Sequence, residues 1–158
     1  MVGELSLLEY CLKCKAKCCK ASDKIGSPIL CETEAKEAKK INACAVKEII
    51  SKNGKKYYII LGKDKDSKCF FLNEKNKCDL QANKPLDCLC YPMKAVYKKD
   101  KIEFIFDSDC PASIYLNEKF IKDAKKIAIK SISRFDKNTY DEWLEKNVGW
   151  VKKVTKII

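Results

Sequence analysis

Histidine is absent from the 158 residues, and arginine and glutamine occur once each, as Arg134 and Gln81. Without imidazole no Ser-His-Asp or Cys-His arrangement can operate, and any metal site must be built from sulfur, with oxygen or an exogenous ligand as its only supplement. General acid or base work would fall to Asp, Glu, Lys, Tyr or Cys. The five glycines, Gly3, Gly26, Gly54, Gly62 and Gly149, contain no Gly-x-Gly-x-x-Gly run, so the phosphate-cradling turn of dinucleotide-binding folds is missing. No stretch approaches the roughly 18 apolar residues of a membrane span, and the opening MVGELSLLEYCLKC has no basic region ahead of a long apolar run. These absences predict a cytoplasmic protein without a membrane segment. Repeats, long linkers and low-complexity tails are lacking too, and the length suits one domain over residues 1–158.

What the chain has is sulfur. Of eleven cysteines, four fall within nine positions as Cys11-x2-Cys14-x3-Cys18-Cys19. Thiolates without imidazole point to zinc in a closed tetrahedron or to iron–sulfur clusters. With no export signal the count reads as metal or redox chemistry rather than a disulfide framework, and its odd total argues against complete pairing. Disulfide-rich cytosolic proteins do occur in hyperthermophiles. The lysine- and isoleucine-heavy composition, with one arginine, fits a thermophilic, AT-rich source.

The formal charge is +11. The lysines are scattered and lack the arginines and stacked aromatics of a base-reading surface, which makes nucleic acid the weaker reading and an acidic protein partner the stronger one. Lys13, Lys15, Lys17 and Lys20 interleave the first cysteine group, where they offset thiolate charge.

Pattern along the chain predicts an α+β fold: a small antiparallel sheet of hairpins, cysteine-rich loops around a metal centre, and covering helices toward the C-terminus. Glu32 to about Ala45 is strongly helix-forming, with Ala35, Ala38, Ile41 and Ala45 on one face and Glu32, Glu34 and Glu37 solvated. VKEIIS and KYYIIL flank Asn53-Gly54, the signal of a two-residue hairpin turn. Cys69 to Leu72 and Cys78 to Leu80 flank a polar turn that can aim two cysteines at one point. Lys84-Pro85 precedes a short helix or turn carrying Cys88, and Met93–Tyr97 with Ile102–Phe106 form a further hairpin. Phe120, Ala124, Ile127, Ala128, Ser131, Ile132 and Phe135 recur at helical spacing, and a last helix over roughly 139–147 follows an Asp136 or Asn138 cap. Tyr57, Tyr58, Phe70, Phe71, Phe104 and Phe106 are candidate core, Trp143 and Trp150 packing or subunit-joining residues, and Asp107 and Asp109 turn residues able to lend an oxygen.

The candidate metal ligands are Cys11, Cys14, Cys18, Cys19, Cys69, Cys78, Cys88 and Cys110. The adjacent Cys18-Cys19 pair projects in two directions, so it suits a cluster with several irons or two neighbouring sites. Eight thiolates exceed one zinc tetrahedron but match two 4Fe-4S clusters, or one cluster with a smaller site, which favours iron–sulfur with zinc as the alternative. Cys31 and Cys44, on or near the first helix, read as small buried apolar residues, and Cys90 as ligand, spare thiol or filler.

The order Cys11-x2-Cys14-x3-Cys18-Cys19, Cys69-x-Phe71-Leu72, Cys78-x-Leu80 and Lys84-Pro85-x2-Cys88-x2-Tyr91-Pro92 resembles the zinc- or iron-chelating family labelled by its CxxCxxCC motif. Residues 11–92 carry the resemblance, which implies ligand roles for Cys69, Cys78 and Cys88. The first gap is one residue longer than the family's, and Lys84 and Leu89 stand where the family has arginines. The longer gap is also similar to the cysteine cluster of flagellin lysine N-methylases, which implies a second possibility, a cluster-containing enzyme. A third reading is a zinc-stapled module with a basic partner- or RNA-binding surface.

Overall fold

A computed structural model of the chain describes residues 27–63, 68–107, 110, 117–147 and 156–157. It is an α+β structure of small antiparallel sheets and helices. The first sheet holds β1 (Ile29–Leu30), β2 (Val46–Ile50) and β3 (Lys56–Ile60), with β3 in the middle. β3 reads KYYII, β-branched and aromatic residues suited to a strand covered on both faces, and its last four residues are buried. Because successive side chains point to opposite faces, Tyr57 and Ile59 enter one core while Tyr58 and Ile60 enter another. The strand is thus a partition between two apolar clusters.

The first cluster joins Tyr57 and Ile59 to Ile29, Cys90, Ala95, Ile105, Ala128, Ile132, Tyr140 and Trp143. It lies against a second sheet of β6 (Met93–Lys98), β7 (Lys101–Phe106) and β8 (Lys156–Ile157), with β7 central, and is covered by α3 (Glu118–Ile132) and α4 (Lys137–Asn147). The second cluster, around Leu30, Tyr58, Ile60, Phe71 and Leu80, is covered by Ala35 and Ala38 of α1 (Glu32–Ile41). The short α2 (Leu86–Cys90), introduced by Pro85, packs on α3, β1 and β6, and a two-stranded ribbon pairs β4 (Gly62–Lys63) with β5 (Lys68–Cys69).

Several elements depart from their predicted form. α1 stops at Ile41, and Asn42 turns extended and caps a 3-10 turn over Ala43–Ala45 by accepting from Cys44 N–H. Ala45 still reaches the core, but Ile41 is left 52% exposed. The β2–β3 loop has three residues, not two: Ser51 N–H donates to Lys55 C=O, Gly54 N–H donates to Ser51 C=O, and Gly54 adopts φ +81°. The same construction recurs where Asn73 N–H donates to Lys77 C=O and Asn76, at φ 58°, donates to Asn73 C=O. Both are three-residue loops closed by a left-handed residue, a form that asks for glycine or asparagine. α4 begins at Lys137, capped by Asp136, whose carboxylate accepts from Thr139 N–H and hydroxyl. Trp143 is wholly buried and Trp150 lies outside the described residues. No helix among the described residues is long and apolar enough to cross a membrane.

Candidate metal centre

The four candidate ligands Cys11, Cys14, Cys18 and Cys19 lie outside the described residues, as do the lysines between them. The other four, Cys69, Cys78, Cys88 and Cys110, are all half-buried. Cys69 ends β5 opposite Gly62, and Cys78 forms a bridge with Leu72 across the Asn73–Lys77 turn. Both pack, with Phe70, on the margin of the second core. The turn therefore brings two predicted ligands to one apolar wall, one on each limb of the excursion.

Cys88 stands on α2, whose position is fixed by long-range bonds. Leu86 N–H, an unsatisfied donor of the first turn, donates to Glu34 Oε1 at 2.9 Å. Glu34 Oε2 accepts from Cys31 N–H at 3.1 Å and pairs with Arg134 at 2.8 Å. Asp87 accepts from Ile29 N–H at 3.3 Å through Oδ2 and forms an ion pair with Lys94 of β6, both side chains only 5% exposed. The Lys94 ammonium also lies 4.5 Å from the centre of the Trp143 ring, an attraction that strengthens as water is removed. These contacts tie α2 to α1, β1, β6 and α4, leaving little freedom in where Cys88 is presented.

Residues two apart on a helix point about 200° away from each other. Cys90 accordingly faces the first core while Cys88 stays half-buried. Burial, aided by the Asp87 carboxylate, pushes the Cys90 thiol up to about 12, and its Sγ lies 3.4 Å from Asp87 C=O, to which it donates. Cys90 is a core residue and not an accessible ligand. Cys110 is joined to the α2 exit through Asp107: Cys110 N–H donates to Asp107 C=O, Asp107 N–H donates to Pro92 C=O, and Tyr91 hydroxyl donates to Asp107 Oδ2. Asp107 is buried rather than a solvated turn residue, and Asp109 lies outside the described residues. Cys69 and Cys78 thus pack against the same core, and Cys88 and Cys110 are linked through the Asp107 junction. Among the described residues no group of three or more Cys, Asp or Glu converges to hold a metal ion.

The expectation of two buried apolar cysteines does not hold. Cys44 is exposed, turned outward by the 3-10 break, and Cys31 is half-buried at the α1 N-cap with Arg134 Nη1 3.2 Å from its Sγ. Glu34 is no solvated helix charge either; it satisfies two backbone donors and the single arginine. The capping box that positions it is masked in sequence because cysteine occupies the place of the usual Ser, Thr, Asp or Asn. Lys94 carries no sequence signal, since a lysine in a strand reads as outward-facing. No family model, curated protein or solved structure matches the chain.

Proposed function

We propose that this is a metal-binding protein whose eight thiolates, Cys11, Cys14, Cys18, Cys19, Cys69, Cys78, Cys88 and Cys110, hold one or two iron–sulfur clusters for electron transfer or for metal and sulfur handling. The observation that carries the reading is the cysteine pattern itself: four thiols in nine positions, four more spread along the chain, and no histidine. The described members of the set support it by their exposure. Cys69, Cys78, Cys88 and Cys110 are neither sealed in a core, as Cys90 is, nor open to solvent, as Cys44 is. Partial burial suits a cluster ligand, because hydrogen bonds and limited solvent tune the cluster.

Single replacements test the assignment. In protein purified without oxygen, Cys69→Ser, Cys78→Ser, Cys88→Ser and Cys110→Ser are each expected to lower the visible absorbance and the bound iron, whereas Cys44→Ser and Cys90→Ala leave both unchanged. Equal metal content across all six variants would remove these cysteines from the ligand set.

A further inference from the structure

Three helices of this protein carry lysines on their outer faces, and they treat that charge differently. In α1, Lys36 pairs with Glu32 and Lys40 with Glu37; in α4, Lys137 pairs with Asp141 and Lys146 with Glu142. In α3, Lys119, Lys122, Lys126 and Lys130 are all exposed, and none forms an ion pair with any described residue. At 100° per residue the four fall within an arc of about 80°, on the side opposite the buried Ala124, Ala128, Ser131 and Ile132. They run in a line of about 16 Å along the axis. Lysines three and four apart on one face repel each other, and the two carboxylates of α3, Glu118 and Asp123, form no ion pair with these four. Ile129 sits at the edge of the same stripe, 45% exposed.

We propose that the outer face of α3 is a docking surface for an acidic partner protein, which supplies carboxylates at helical spacing around an apolar side chain that meets Ile129. The carboxylates would relieve the repulsion within the stripe, and the apolar contact gives the face a non-electrostatic centre, the usual anatomy of a protein interface. A nucleic-acid strand is less well matched. The only arginine, Arg134, is committed to Glu34, so the face has no guanidinium fork for phosphate or base edges. The large exposed apolar residues among the described residues are isoleucines and one leucine, with no fully exposed aromatic ring of the kind a stacking platform presents. The inner face of α3 packs on α2, the helix of Cys88. The inference goes beyond the metal reading and holds whichever metal the cysteines bind.

The test is binding of the full chain, as purified without oxygen, to a labelled helical peptide with glutamates at i, i+3, i+4 and i+7 around one leucine, followed by fluorescence anisotropy at low ionic strength. The quadruple variant Lys119→Gln, Lys122→Gln, Lys126→Gln, Lys130→Gln is expected to weaken binding tenfold or more. A control with the same charge loss on hairpin tips, Lys52→Gln, Lys55→Gln, Lys75→Gln, Lys77→Gln, is expected to change it less than twofold. Thermal melts confirm that each variant is folded, with Lys122→Gln, Lys126→Gln as the milder substitute. The proposal is overturned if the peptide does not bind, if the control loses as much as the stripe variant, or if RNA of equal charge binds more tightly than the peptide through the same lysines.

Discussion

Asp87 and Lys94 form the buried ion pair on which α2 rests, and the consequences of losing one partner differ from those of losing both. Asp87→Ala leaves an ammonium buried against Trp143 and an unpaired Ile29 N–H, and is expected to cost about 3–5 kcal/mol in urea unfolding. Replacing both residues, as Asp87→Leu with Lys94→Met, is expected to recover most of that loss, because a desolvated charge pair repays little over apolar packing of similar volume. A double variant as unstable as the single one would show that the Ile29 bond, not the charge, dominates. Cys90 makes a second residue-scale expectation. Its thiol titrates near its ordinary value in the unfolded chain and near about 12 in the folded one, so above pH ~9 the unfolded chain sheds its proton first. The stabilisation is complete below that range and is lost as pH rises toward 12. The decline in stability with alkaline pH should be shallower in Cys90→Ala; an unchanged slope would remove the thiol from the account.

At the scale of elements, the hairpins are where sequence and structure agree most closely and also where the agreement stops being exact in form. Asn53-Gly54 marks a turn, yet Ser51 and Lys55 close a three-residue loop that needs one left-handed residue at Gly54. A Cβ at that position meets nothing within 4 Å, so Gly54→Ala is expected to cost about 1 kcal/mol from backbone conformation alone. Asn76→Gly at the equivalent point of the second loop should be neutral or slightly stabilising. Equilibrium unfolding of the two variants checks both, and equal effects would contradict the shared loop form. Strands β2, β3, β6 and β7 and helices α1, α3 and α4 were legible because their apolar residues recur at periods of two or 3.6. β8 was not, since two residues carry no period, and its pairing depends on β7 from fifty residues earlier. α1 ends where Asn42 offers a side-chain cap to Cys44, a local competition that helix propensity over Glu32–Ala45 does not register.

For the whole molecule, the two apolar cores on either side of β3 contain none of the four described ligand candidates, Cys69, Cys78, Cys88 and Cys110, among their buried residues. The sequence marked those cysteines by spacing and residue type, which is a chemical signal and needs no tertiary information. What it could not mark was the framework around Cys88 and Cys110: Glu34 with Arg134, Asp87 with Lys94, and Tyr91 with Asp107. Each joins residues whose partners are set by the packing of separate elements, so neither residue is distinctive alone. The same limit applied to Cys90, whose burial follows from the face of α2 it occupies rather than from its neighbour Cys88. The measurement that tests the account most directly is the iron, zinc and acid-labile sulfide content, with the visible spectrum, of protein purified without oxygen. Brown protein with iron and sulfide in matched amounts is the expected result. Colourless protein holding zinc and no sulfide would contradict it.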